Sequence, residues 1–306
     1  MRWLAISLTA FTLMCCKPTE PMEPVTMVIG SWYGFYPFYL AVENGIDEKH
    51  GIKLKIVEPD SIANFRRGYL RSQVDLSATS MLEYTNATQL SGLEIKPIII
   101  TDYSNGGDNI IATKDITHVD QLKGKRIAVP SKGIAEFLMS VILDDQTPTD
   151  QFQQIPIPEH ECMEAFVQGK IDACVTYPPI STYLLQNDNL HVVYTSKQHP
   201  QRIFDLAWAK PHVSRKTVDK MQLIWFDVIE LINRDKDSFY QFVASISNVD
   251  VSEVKQSMQG IQLIDSEEFK TIRASKDRLT QDLVTACKVA KNDNCNRLGQ
   301  RLWDYQ

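Results

Sequence analysis

The sequence predicts an α/β protein of two lobes, each a mostly parallel sheet with helices on both faces. Three observations predict it. Between residues 25 and 195, short β-branched runs alternate with helix-length amphipathic stretches. A fresh first-strand signature, Gly124-Lys125-Arg126-Ile127-Ala128-Val129-Pro130, opens a second sheet in mid-chain. After the alternation ends, the run from Phe204 to Pro211 reads as a strand returning to the first lobe. Strand–helix–strand alternation is the pattern of a sheet covered on both faces. A length of 306 residues fits two such units, at roughly 150 residues each.

Taken in order, strands are expected at 25–30, 52–57, 75–79, 95–101 and 109–113. A second set follows at 126–130, 152–157, 172–177 and 191–195, and the returning strand at 205–210. Helices fall between them at 37–44, 63–72, 82–91, 134–143, 162–168 and 180–185. Beyond the returning strand the chain becomes nearly all helix, at 217–232, 237–246 and 266–291, with apolar residues at helical spacing. Asp265-Ser266-Glu267-Glu268 is a capping box for the last of these. Lobe 1 is therefore expected to comprise 25–113 and 205–306, and lobe 2 114–204. Two open α/β sheets place their binding loops on facing edges.

The amino terminus has a different character. Met1-Arg2 precedes an apolar run from Trp3 to Met14, followed by Cys15-Cys16-Lys17. One basic residue and about a dozen apolar ones make a secretory signal, too short to span a bilayer as a helix. Leu13-Met14-Cys15-Cys16 resembles a bacterial lipobox, which places an acyl anchor on Cys16 and makes residues 1–16 the signal segment. Lys17 after the cysteine resembles outer-membrane sorting, so the expected location is the periplasmic face of a bacterial membrane. Residues 17–24 carry Pro18, Pro21 and Pro24 and read as a tether.

Composition narrows the partners. Hydrophobic residues make up 43% and charged residues 23%, ordinary for a globular chain. Thirty-two basic against 38 acidic residues give a net charge of −6, and basic runs never exceed a pair. Nucleic acid is therefore not expected as a partner. Four cysteines remain in the body. Cys287 and Cys295 flank the turn-like Asn292-Asp293-Asn294 and are expected to bridge. Cys162 opens a predicted helix and Cys174 lies in a predicted strand. A helix packs ~10 Å from a sheet, so these two are expected as separate buried thiols. There is no Cys-x-x-Cys, His-Glu-x-x-His, Gly-x-Ser-x-Gly or phosphate-loop motif, and the six histidines are scattered. No metal, cofactor or catalytic constellation is expected.

Several motifs, in order, carry a resemblance. Trp32-x-Gly34-x-x-Pro37-x-x-x-Ala41-x-x-x-Gly45, then Gly51-Ile52, is similar to the opening of solute-binding proteins for nitrate, sulfonates, taurine and thiamine-precursor pyrimidines. Asp102-Tyr103-Ser104-Asn105-Gly106-Gly107-Asp108, then Asp120-Gln121-Leu122-Lys123-Gly124-Lys125, resembles the middle of that family. Glu164-Ala165-Phe166-x-x-Gly169-x-Ile171-Asp172-Ala173, then Tyr177-Pro178-Pro179, resembles its lobe-2 helix and strand. The resemblance implies a type II periplasmic-binding-protein fold that closes on a small anionic or zwitterionic solute and delivers it to an inner-membrane ABC permease. It also implies a monomer, with a thiamine-precursor aminopyrimidine as the alternative ligand. A sensing lipoprotein that signals to a membrane receptor is a further alternative, because closure alone serves both.

Candidate ligand-binding residues follow the strand ends. Ser131-Lys132-Gly133 opens a helix, where free N–H groups and the lysine favour an anion, or where a routine turn carries a solvated lysine. Six aromatics crowd residues 32–39, and Trp32 and Tyr36 are the expected cleft rings, with core packing as the alternative. Thr79 and Ser80 end a strand and could donate hydroxyl hydrogen bonds, or Ser80 could cap the next helix. Ser104 suits a ligand hydrogen bond. Asp102 and Asp108 either pair with a ligand amine or brace the hinge. Tyr177 ends the lobe-2 strand and offers another ring and hydroxyl.

Overall fold

A computed structural model describes residues 21–60, 62–71, 73–129, 134–142, 152–178, 180–293, 295, 297 and 298. The expected signal segment, Cys16 and the site residues Ser131, Lys132 and Gly133 lie outside them. Strand β1 (Glu23–Ile29) leads through α1 (Pro37–Glu43) and α2 (Ile46–Lys49) to β2 (Ile52–Val57), then α3 (Ile62–Leu70), β3 (Leu76–Ser80), α4 (Met81–Ser91) and β4 (Lys96–Ser104). The chain then enters a second sheet through β5 (Asn109–Thr113), β6 (Arg126–Ala128), α5 (Ile134–Ile142), β7 (Gln153–Ile155), α6 (Cys162–Val167), β8 (Ala173–Thr176), α7 (Ile180–Leu184) and β9 (Leu190–Thr195). It returns through β10 (Phe204–Ala209) to α8 (Arg215–Arg234), α9 (Lys236–Ser247), α10 (Val251–Met258), β11 (Ile261–Leu263), α11 (Ser266–Ala274) and α12 (Lys276–Val289).

The first sheet has the order β11-β4-β10-β3-β1-β2 and the second β7-β6-β8-β5-β9. Both are mixed rather than mostly parallel. Strands joined by a covering helix run parallel, as in β1–β2, β1–β3, β6–β7 and β6–β8. The strands that carry the chain between sheets have no helix to turn them round. Accordingly β10 pairs antiparallel with β3 and β4, and β5 antiparallel with β8 and β9. Because β5 lies in the second sheet, the crossover falls at 105–108, ahead of the 113/114 boundary expected from the sequence. The other crossover falls at 196–203. At the start of the fold, Glu23 and Pro24 already pair with Ile52 and Lys53, so the strand takes over the last two tether residues.

The core follows the period-2 alternation of the strands. On β10, Ala207 and Ala209 face α1, α8, α9 and α10, whereas Phe204, Leu206 and Trp208 face α3, α4 and α12. In the second sheet Ile111, Ala128 and Cys174 meet α6 and α7. Helix α12 packs on both α4 and α5, so one carboxy-terminal helix touches both lobes. The single helix expected at 266–291 is two, broken at Ser275, and α10 and β11 are additions.

Cys287 and Cys295 are bridged, with Cα atoms 5.4 Å apart. Cys162 and Cys174 are bridged as well, at 6.4 Å, which corrects the expectation of two free thiols. The ~10 Å separation refers to the helix axis, and Cα atoms on the facing side of a helix lie ~2.3 Å nearer the sheet. Cys162 opens α6 on that side. Loop-closure entropy gives each bridge about 3 kcal/mol. Full reduction is therefore expected to lower Tm by roughly 10 °C, measured by calorimetry with and without reductant.

Candidate functional site

The loop after β1 turns through a 3₁₀ segment, Tyr33–Phe35, before Pro37 starts α1. That turn divides the aromatic cluster. Phe35 and Phe38 go inward, with Phe38 against Trp225 at 4.9 Å between ring centroids. Trp32, Tyr33 and Tyr36 instead line a cleft of about 280 Å³. The opposite wall is Tyr177 and Pro178, at the end of β8 in the second lobe. Trp32 and Tyr177 meet edge to face, 5.8 Å apart. The Cys162–Cys174 bridge lies three residues behind Tyr177 and ties that strand end to α6. Ser247, Ser257 and Ile261, from α9, α10 and β11, and Val249 between α9 and α10 form a third wall.

The hydrogen bonds of these rings are largely spoken for. Trp32 Nε1 donates to Asp102 Oδ1 at 2.9 Å. Tyr36 and Tyr39 each donate a hydroxyl to Glu58, at 3.1 Å to Oε1 and Oε2 respectively. Burial raises the Glu58 carboxyl above its usual range, and the two tyrosine hydroxyls hold it down. Ser257 is buried and its Oγ has no partner; Ser247 Oγ is likewise buried and unpartnered, beside the Tyr33 and Tyr36 hydroxyls. Among the described residues the lining holds no lysine, arginine or histidine.

Beneath Trp32 lies an acidic pair. Asp102 on β4 stands directly opposite Asp205 on β10, and both are buried. The two carboxyls hydrogen-bond each other, and a Cβ on Gly34 would collide with Asp102 Oδ2. Burial pushes Asp102 up to about 6, against the lowering effect of the Trp32 bond. Asp205 is driven well above the carboxylate range by burial and by the facing Asp102. Burial also raises Asp108. Carboxyls raised on folding hold protons that the unfolded chain releases, so their stability contribution is complete below the unfolded value near 4 and is lost as pH rises through the folded values, 6 and above. Asp205→Asn replaces a protonated carboxyl that donates to Asp102 by an amide donor that cannot ionise. It is expected to flatten the fall in stability between about pH 4 and pH 7 and to raise stability at pH 8, read from denaturant midpoints.

The remaining sequence candidates have other work. Ser80 Oγ accepts from Glu83 N at 3.2 Å and caps α4, so its hydroxyl is used locally. Thr79 is buried and is absent from the cleft lining. Ser104 is a hinge residue. Its Oγ meets Ser196 Oγ at 2.8 Å and accepts from Asp108 N at 2.9 Å, joining the two crossovers. Asp108 O in turn accepts from Ser196 N at 2.9 Å. Asn105 N and Gly107 N donate to Gly260 O at 2.8 and 3.0 Å, and a Cβ on Gly260 would fall 2.6 Å from Gly107 N. Asp102 reaches the cleft only through Trp32. The structure thus brings Trp32, Tyr36 and Tyr177 together at the cleft and sets Thr79, Ser80, Asp102, Ser104 and Asp108 apart from its lining. Tyr33, Ser247 and Ser257 were missed, and Ser257 carried no sequence signal beyond a polar position in an amphipathic helix.

A family model described as NMT1/THI5 like matches residues 32–218. No curated protein matches the sequence. Among solved structures, the periplasmic aliphatic sulphonate-binding protein SsuA of Escherichia coli superposes with a TM-score of 0.70 at 16% identity, over 92% of this chain and 97% of that one. The Candida albicans CA3427 gene product, described as having the generic periplasmic binding protein fold, gives 0.66 at 14%, over 92% and 96%. The periplasmic nitrate-binding protein NrtA of Synechocystis PCC 6803 gives 0.61 at 12%, over 93% and 90%. At these identities the likeness is one of fold: two mixed sheets flanked by helices, the periplasmic binding protein architecture.

Proposed function

This chain belongs to the NMT1/THI5 like family, and from that premise we propose that it is the solute-binding component of an ABC importer, holding a small planar, amino-bearing solute of the aminopyrimidine type between its lobes. One observation carries the reading. The cleft is walled by Trp32, Tyr33, Tyr36 and Tyr177, backed by carboxylates at Glu58 and Asp102, and lined by no cationic side chain among the described residues. Aromatic walls suit a flat π-system, and a cleft biased toward acceptors suits N–H donors. A ligand that touches both walls stabilises the closed arrangement by its differential affinity for it.

A sulfonate, taurine or nitrate ligand is the second reading. Its support is Lys132 at a helix start in the sequence and the likeness in fold to the sulphonate-binding SsuA and the nitrate-binding NrtA. Calorimetric titration of residues 17–306 separates the two. An aminopyrimidine is expected to bind and taurine, alkanesulfonates and nitrate not to; the opposite order overturns the proposed ligand class, and turnover of any of these compounds overturns the binding role.

The inner-membrane permease is the proposed partner, with the sensing role as the alternative, and the body is proposed to act as a monomer. Lipid attachment at Cys16, with the outer membrane favoured, rests on the pattern of residues 1–17. Cys16→Ser is expected to move the protein from the membrane fraction to the soluble periplasmic fraction, assayed by detergent phase partitioning.

A further inference from the structure

We infer that Glu58, which does not line the cleft, sets its hydrogen-bond polarity and so selects amino-bearing over carbonyl-bearing ligands. The inference deepens the reading of the cleft as a solute site and rests on it. A tyrosine hydroxyl has one hydrogen and two lone pairs. The Tyr36 hydrogen goes to Glu58 Oε1 at 3.1 Å. What Tyr36 Oη can offer anything else is an acceptor. The Tyr39 hydrogen goes to the other carboxylate oxygen at 3.1 Å, so Glu58 is satisfied from both sides and has little reason to release Tyr36.

The polarity passes on. Ser247 lines the cleft beside the Tyr36 and Tyr33 hydroxyls, and its buried Oγ has no formed partner. With Tyr36 Oη fixed as an acceptor, the Ser247 hydrogen has a receiver on the protein side, which leaves its own lone pairs for the ligand. Ser257 Oγ, also buried and on the cleft wall, has a free rotor and can donate or accept, so the polarity set by Glu58 is carried by Tyr36 and Ser247. A chain of hydroxyls oriented toward one carboxylate polarises in a single sense. A ligand amino group donates into it. A ring carbonyl at the same place meets lone pairs and leaves them unpaired, the arrangement that gives the strongest discrimination between close analogues.

Glu58 is thus a positioning residue, and its test reads selectivity. Two probes are titrated calorimetrically: an aminopyrimidine bearing a hydroxymethyl group, and its analogue with a ring carbonyl in place of the amino group. The wild-type chain is expected to prefer the amino probe. In Glu58→Gln the amide can donate to Tyr36 Oη and turn its hydrogen toward the cleft. The affinity ratio is then expected to fall by about tenfold or more while the unfolding midpoint stays near that of the wild type. Tyr36→Phe removes the relay and is expected to lower the ratio too, with Glu58→Gln adding little in that background. Glu58→Asp, which keeps the carboxylate, is expected to recover part of the ratio. A ratio unchanged in Glu58→Gln, with the amino probe bound by the wild type, overturns this inference alone. Failure of the wild type to bind either probe overturns the aminopyrimidine reading of the cleft together with it.

Discussion

Trp32→Ala is expected to weaken aminopyrimidine binding by roughly 100-fold, which corresponds to ~2.7 kcal/mol. The indole is the ring shared by both sides of the cleft: it lines the first-lobe wall and meets Tyr177 of the second lobe at 5.8 Å. Its removal takes away a stacking surface for the ligand and the contact across which the lobes meet. A second effect falls on the fold. Trp32 Nε1 is the donor to Asp102 Oδ1, a fully buried carboxyl that also hydrogen-bonds Asp205. An orphaned buried acceptor of this kind costs about 1–3 kcal/mol. The loss is expected to be largest at pH 8 and smaller at pH 5, where Asp102 takes up a proton, and pH-resolved denaturation curves read it directly. Trp32→Phe keeps a ring in place and should recover part of the affinity and none of the pH effect.

Arg202→Ala is expected to be the most destabilising single change considered, at about 3–5 kcal/mol. Arg202 lies in the crossover that returns to the first lobe, and its Nε donates to Asp282 Oδ1 of α12 at 2.6 Å. Both side chains are buried, at 4% and 1% exposure, and the partly exposed Arg278 approaches Asp282 from 3.6 Å. Removing the arginine takes away the buried cation that neutralises Asp282 in the interior, and the partly exposed Arg278 replaces little of it. Because α12 packs on helices of both lobes, the loss is expected at the junction rather than in either sheet. The control is Arg202→Met with Asp282→Leu, which replaces the pair by apolar bulk and should restore most of the stability. Equal destabilisation by the double variant would show that packing, rather than the stranded charge, sets the cost.

The fold was legible because its signals are local and repeated. The ten strands expected from β-branched runs are present with boundaries shifted by up to three residues, because each run is bounded by its own turn residues. Strand direction was not legible, since whether β5 and β10 run parallel depends on how the chain enters each sheet. Nor was the bridge from Cys162 to Cys174, because side-chain reach depends on which face of α6 meets the strand. Trp32, Tyr36 and Tyr177, expected at the cleft from the sequence, do line it, because the turn after β1 and the end of β8 carry them there. Ser80 and Ser104 could not be told from ligand donors, since capping a helix and joining two crossovers use the same hydroxyl chemistry. Ser247 and Ser257 were invisible because three segments distant in sequence must assemble before those hydroxyls become buried.

The proposed ligand lies against Trp32, and tryptophan fluorescence tests that most directly. Trp208 and Trp225 are buried at 1% and 0% exposure, so Trp32 is the described indole open to a bound ring. Titration with the hydroxymethyl aminopyrimidine is expected to change the emission saturably in the wild type, with the calorimetric affinity, and to leave it flat in Trp32→Phe at concentrations where calorimetry still detects binding. The same saturable change in Trp32→Phe, or calorimetric binding to the wild type with no change in emission, would place the ligand elsewhere and contradict the account.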